Sequence, residues 1–208
     1  MNKLSCTIAA AALASSAAMA QDAGNWAGSY AGATLDLNNS DVRMTEPFLG
    51  RSDTDENFTT LTAFGGHNWQ RENFVYGIEA RVSSHSDRAL ITGVPGPGNF
   101  ESGLGTHGAL LFRAGLDQGN YLPFVTVGVA AARLNTYWPD GNTHQNGNIY
   151  GPTIGLGADA RINKKMLLRG SIDATFYNGT SFNYCGSGCT LTHDVRNINA
   201  SVGLGYKF

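Results

Sequence analysis

The sequence predicts an all-β fold: an eight-stranded antiparallel up-and-down transmembrane β-barrel with short periplasmic turns and four longer extracellular loops. Three observations carry that expectation. Segments of about ten residues alternate apolar and polar side chains, the signature of a strand crossing a bilayer in a barrel. The connections between these segments alternate strictly between short and long. No stretch beyond residue 20 holds the run of roughly 18 apolar residues a transmembrane helix needs. A chain without such a run can cross lipid only as a closed barrel, because lipid offers the backbone no hydrogen-bond partner.

Composition sets the bounds. The 208 residues suit one domain, and a net charge of -2 removes any bulk electrostatic case for nucleic acid. Charged residues make up 14%, against about 25% in an ordinary soluble domain. Mean hydropathy is nonetheless slightly negative, which excludes a bundle of membrane helices. The 27 glycines suit tight turns and crowded strand positions better than helices.

The first twenty residues, "MNKLSCTIAAAALASSAAMA", read as a signal peptide. Lys3 supplies the positive start, residues 6–14 a short apolar run, and Ala18-Met19-Ala20 the small-residue cleavage site. Cys6 stands at the start of the apolar run and not at its end, so a lipoprotein is rejected. Residues 21–208 then form the barrel domain.

The elements follow in order. "WAGSYAGATLDL" is the first strand and "FTTLTAFGGHNWQ" the second, both too weakly patterned to fix which face is outward. "NFVYGIEARVS" is clear: Phe74, Tyr76, Ile78, Ala80 and Val82 form one face, opposite Glu79 and Arg81. In "THGALLFRAGL", Leu110, Phe112, Ala114 and Leu116 oppose His107, Leu111 and Arg113. "YLPFVTVGVAAARL" is a strand of undetermined facing. In "PTIGLGADARI", Ile154, Leu156, Ala158 and Ile162 oppose Asp159 and Arg161. In "MLLRGSIDATFY", Met166, Leu168, Ile172 and Phe176 oppose Arg169 and Asp173. The last strand, "INASVGLGYKF", places Ile198, Ala200, Val202, Leu204, Tyr206 and Phe208 on one face.

The short connections are "QREN", "DQGN" and "NKK"; the long ones run over 38–57, 84–105, 135–148 and 178–193. A soluble barrel or a sandwich has no reason to sort its loops this way. In a membrane barrel the apolar faces meet lipid. Glu79, Arg81, Arg113, Asp159, Arg161, Arg169 and Asp173 then point inward as an interior polar network of both signs. Eight strands leave a lumen that side chains fill.

Two cysteines, Cys185 and Cys189, lie in "CGSGC". In an exported chain a local disulfide is expected, and a metal site with His193 is the weaker alternative. No nucleotide loop, zinc motif or G-x-S-x-G elbow is present in the sequence, so no cofactor, metal or catalytic residue is assigned. His67, His85, His107, Ser83 and Ser86 are the polar residues an enzyme would draw on, and "SSHSD" sets Ser, His and Asp side by side in sequence. Neighbours on one strand or loop do not face one another as a triad must.

The final strand resembles the β-signal read by the outer-membrane assembly machinery, with Val202, Leu204, Tyr206 and Phe208 matching its pattern. "WAGSYAGATLDL", "NWQRENFVYGIEARVS" and "RAGLDQGNYLPFVTVGVA" resemble small outer-membrane β-barrels of the opacity-like and alphaproteobacterial surface-antigen porin family. That resemblance implies a Gram-negative outer-membrane location, membrane lipid and the assembly machinery as partners, and a monomeric barrel. The loops and "CGSGC" depart from the family pattern. The expected role is non-enzymatic: a structural or adhesion protein meeting a host or cell-surface ligand through its loops. The 38–57 loop, with five acids and two arginines, is chemically suited to a basic partner or divalent ions, or is a solvated loop. The alternatives are a narrow porin-like channel, an outer-membrane lipid-modifying enzyme, or a soluble periplasmic ligand-binding barrel.

Overall fold

A computed structural model describes residues 25–46, 50–84, 89–91, 100–138, 143–183 and 190–208. The leader at 1–20 and the Cys185 and Cys189 pair lie outside the described residues. The strands are β1 (Gly28–Glu46), β2 (Gly50–Arg71), β3 (Phe74–Ser83), β4 (Ala89–Ile91), β5 (Phe100–Leu116), β6 (Tyr121–Trp138), β7 (Thr143–Arg161), β8 (Met166–Asn183) and β9 (Thr190–Lys207). All are paired antiparallel in one sheet, and β3 pairs with β5 to close it. Eight strands form the barrel; β4 is a three-residue piece on the outer part of β5.

The closing strand does not fray. β9 pairs with β1 from Tyr30↔Lys207 to Thr45↔Thr192, and Phe208 N donates to Ser29 O at 3.0 Å. The short turns fall where the polar tetrapeptides stand. Glu72 has φ 54° in the first, and Gly119 has φ 75° in the second, a conformation glycine adopts without strain.

The long connections gather at the opposite end, but much of their length is strand. β1 continues to Glu46 and β2 starts at Gly50, so most of 38–57 is a paired hairpin. β6 and β7 likewise pair out to Trp138↔Thr143. Outside the apolar layer neither face has to be apolar, so alternation stops although pairing does not.

The facing of each strand is that of a membrane protein. Leu35, Leu37, Leu61, Ile78, Val82, Leu110, Val125, Val127, Val129, Ile154, Leu156, Ile172, Val202 and Leu204 are exposed on the outer wall. Thr34, Asp36, Thr62, Glu79, Arg113, Asp159, Arg169 and Asp173 are buried in the lumen. This also fixes β1, β2 and β6, whose sequences alternate weakly. Their inward positions hold Tyr30, Phe64, Leu122 and Phe124, which are as apolar as the lipid face. From Met166 to Phe176, at about 3.3 Å per residue and a tilt near 40°, the apolar band is roughly 25 Å tall, the height of a transmembrane barrel belt.

Aromatic rings gird its lower edge. Trp69 stacks on Tyr76 (centroids 5.8 Å apart), Phe74 on Tyr76 (6.0 Å), and Tyr206 meets Phe208 edge-on at 5.3 Å. Rings with an apolar body and a polar edge suit the interface between lipid and water.

Candidate functional site: the barrel lumen

Four layers fill the lumen, each set by the inward residue type at one height. The lowest is a plug. The segment before β1 turns Trp26 into the barrel, where it packs with Val75 and Leu122. Trp26 Nε1 donates to Asp117 Oδ1 at 3.0 Å, and Gln70 Nε2 donates to Asp117 Oδ2 at 2.8 Å. The Arg161 guanidinium lies 4.1 Å from the centre of the Trp26 ring. Arg161 therefore sits at this lower layer, against the indole, and apart from the charges above.

The second layer is ionic. Arg169 is bidentate on Asp159, with Nε–Oδ1 at 2.8 Å and Nη2–Oδ2 at 3.0 Å, and reaches Glu79 Oε2 through Nη1 at 2.7 Å. Arg113 Nη2 meets Asp159 Oδ2 at 2.5 Å. Arg81 bridges Glu79 Oε1 at 2.7 Å and Asp173 Oδ2 at 2.9 Å. Tyr30 Oη donates to Glu79 Oε2 at 2.8 Å. Three guanidinium groups thus face three carboxylates, and the layer carries no net charge. Glu79, Arg113, Asp159 and Arg169 are each 1% exposed, which is sustainable for ions only because every one is paired.

Aromatic rings flank the guanidinium groups. Arg113 lies 3.8 Å from the Phe124 ring centre and Arg169 4.0 Å from that of Phe64, a cation–π arrangement. Glycines make the room. A Cβ on Gly66 would stand 2.5 Å from Tyr30 Oη, and one on Gly157 2.6 Å from Phe124 Cζ.

Above lies a polar chamber lined by Asp36, Thr62, Ser83, His107, Asn197 and Asn199, among others. Its volume is about 60 Å³. Thr62 Oγ1 donates to Asp36 Oδ2 and sits 2.6 Å from Ser83 Oγ. Asn197 and Asn199 both donate to Asn38 Oδ1, at 3.0 and 3.1 Å. The top layer is apolar: Ala130, Ala132, Ile149, Tyr177 and Val195, with Phe58 and Ala109 against them.

The lumen brings together residues that sequence reasoning left apart or left out. Ser83 and His107 are cross-strand partners, with Asp36 on the same chamber wall. The Ser83 hydroxyl is engaged by Thr62, and His107 Nδ1 is buried with no hydrogen-bond partner. Among the described contacts, then, Ser83 and His107 share no hydrogen bond of the kind that primes a serine nucleophile. His67 lies near the lower rim, where its Nδ1 is 3.0 Å from Ser29 Oγ. His85 and Ser86 lie outside the described residues. Tyr30, Asp36, Trp26 and Asp117 were not singled out from sequence. The one available clue was polar Asp36 and Asn38 alternating with Leu35 and Leu37 in "TLDLNN".

This architecture matches known proteins. Solved structures share the fold at low identity. OprG of Pseudomonas aeruginosa superposes with a TM-score of 0.60 at 14% identity, covering 88% of this chain and 96% of OprG. The outer membrane protease OmpT of Escherichia coli gives 0.51 at 7% identity, covering 86% of this chain and 96% of OmpT. In sequence, the chain is 25% identical to the 22 kDa outer membrane protein of Rhizobium leguminosarum bv. viciae over 189 residues, 89% of this chain and 80% of that one. It is 27% identical to the 25 kDa outer-membrane immunogenic protein of Brucella melitensis over 184 residues, 88% and 80% respectively. The outer membrane protein beta-barrel domain family matches residues 8–208. An inside-out barrel with a charged lumen and a lipid-facing apolar belt, matched over nearly its whole length, belongs to that family and resides in the outer membrane.

Proposed function

We propose that this protein is a non-enzymatic surface barrel whose work is done by its extracellular hairpins and the loops that cap them. The observation that carries this reading is the ionic layer. Its three arginines and three carboxylates pair across the lumen above the Trp26 plug, so the scaffold is rigid and offers no route for solutes. Function on a rigid scaffold falls to its loops. The partner is a host or cell-surface ligand, and a Cys185–Cys189 disulfide staples the fourth loop and lowers the ordering cost of binding.

The test is adhesion by whole cells that display the wild type or variants with each long connection shortened in turn. Shortening at least one connection abolishes adhesion, while the variant still shifts on an SDS gel between unheated and boiled samples. Adhesion unchanged in all four variants contradicts the reading. So does a wild type that confers solute uptake in place of adhesion.

Assembly forms a second part of this reading. Val202, Leu204, Tyr206 and Phe208 line the outer face of β9, and we assign them to recognition by the assembly machinery. Removing Phe208, which is 77% exposed and packs edge-on against Tyr206, lowers the folded barrel in the outer membrane several-fold. The same variant refolds in detergent as well as the wild type. Equal loss in both settings would make Phe208 a stability residue instead.

A further inference from the structure

One charge in the lumen has no counterpart. The ionic layer balances three arginines against three carboxylates, and Asp36 stands above it as a further carboxylate. Asp36 is 4% exposed and lines the polar chamber. Among the described residues no lysine lines that chamber, and its two arginines, Arg81 and Arg169, are committed to the carboxylates of the layer below. Thr62 donates to Asp36 Oδ2, while Asp36 Oδ1 is buried without a partner. A buried carboxylate left unpaired is costly, and a neutral water beside it brings no charge to offset it.

Two further acceptors border the same space. Asn197 Oδ1 and His107 Nδ1 are buried atoms of chamber-lining residues and have no hydrogen-bond partner. The imidazole nitrogen accepts when the ring proton is on Nε2. The topology makes these groups converge. Thr62, which bonds Asp36, pairs with Ser83, and Ser83 pairs with His107, so one wall runs from Asp36 round to the imidazole. On the other side of Asp36, Asn197 Nδ2 donates to Asn38, two residues along β1. β9 and β5 stand four strands apart in an eight-stranded barrel. Asn197 and His107 therefore face each other across the bore, with Asp36 on the wall between them. The Asp36 carboxylate is within electrostatic reach of the imidazole.

We propose that the chamber binds a small monovalent N–H cation of the ammonium class. Its charge offsets Asp36, and its N–H groups donate to Asp36 Oδ1, Asn197 Oδ1 and His107 Nδ1. A tetrahedral ammonium has a fourth donor. That one goes to a water, which also accepts from Arg81 Nη2, the unpartnered donor on the same walls. An alkali cation is suited by oxygen ligands and leaves the imidazole nitrogen bare. A transition-metal ion suits imidazole, but among the described residues no three His, Cys, Asp or Glu side chains gather to hold one. The chamber volume of about 60 Å³ takes about four waters, which is room for one ammonium ion and its water. The ionic layer closes the chamber below, so the site binds and does not conduct.

The test refolds the whole barrel into lipid nanodiscs near neutral pH over a series of ammonium chloride concentrations. Tetramethylammonium chloride, which has no N–H to donate, holds the ionic strength constant. Saturable chemical-shift changes are expected at the Asn197 side-chain amide and the His107 ring, with a urea midpoint of unfolding that rises as the site fills. Asp36→Asn keeps an acceptor for Thr62 and removes the charge; its affinity for ammonium is about ten-fold lower or less. His107→Leu removes one acceptor and weakens binding by about ten-fold as well. Sodium chloride in place of ammonium chloride shifts neither side chain to saturation. Equal affinity in Asp36→Asn and the wild type would overturn the proposal, as would shifts that never saturate or sodium that matches ammonium. An imidazolium at His107 or a protonated carboxyl at Asp36 that persists in ammonium, read from side-chain nitrogen and carbon shifts, would also overturn it, because the chain itself then removes the imbalance.

Discussion

Arg169→Ala destabilises the folded barrel by about 3–5 kcal/mol, because it strands two buried carboxylates at once. Arg169 holds Asp159 with two hydrogen bonds and Glu79 with a third. Arg113 and Arg81 remain, but neither can replace the bidentate geometry on Asp159. Urea titration of refolded protein measures the loss. A second variant separates charge from packing. Arg169→Met combined with Asp159→Leu removes one charge of each sign and leaves Glu79 paired with Arg81 at 2.7 Å. That double variant recovers most of the loss, since a well-packed apolar pair often matches a buried ion pair in stability. Strictly additive single-site losses, with Asp159→Leu costing as much in the Arg169→Met background as in the wild type, would show that the ionic layer is not a coupled unit.

Val127→Arg has the second-largest expected effect, and it tests the inverted polarity of the wall. Val127 is 55% exposed in the middle of the outward row of β6, between Val125 and Val129. On a soluble sheet an arginine at such a position would cost almost nothing. At the midplane of a membrane barrel it costs about 2–4 kcal/mol, falling to about 0–1 kcal/mol near the interface. Asn39→Arg supplies the interfacial control, since Asn39 is exposed above Leu37 and bonds Asn57 across the strand pair, at 3.0 Å. Unfolding in phospholipid vesicles separates the two variants. Equal costs at both positions would contradict the placement of the belt.

Much of this fold was legible in the chain because lipid imposes a strict rule on one face of each strand. β3, β5, β7, β8 and β9 show it plainly, and the charges opposite their apolar faces lie in the lumen. β1, β2 and β6 were harder because the lumen is not uniformly polar. It holds Tyr30, Phe64, Leu122, Phe124 and Ala130, so those strands carry apolar side chains on both faces. The outer hairpins were harder still, since paired strands standing in water need no alternation. The partners within the ionic layer could not be read at all. Arg169 and Glu79 are 90 residues apart, and the tilt and register that bring them to one height are properties of the closed barrel. Arg161 shows the same limit, as an inward charge by parity that lies one layer too low to join the others.

Planar bilayer recording of the refolded, heat-modifiable protein tests the sealed lumen most directly. With the Trp26 plug, the paired ionic layer and the apolar ring stacked in one bore, the wild type gives no discrete current steps in concentrated potassium chloride. Regular steps of one size, from wild-type barrels shown intact by the gel shift, would mean that the lumen conducts and that this protein is a channel.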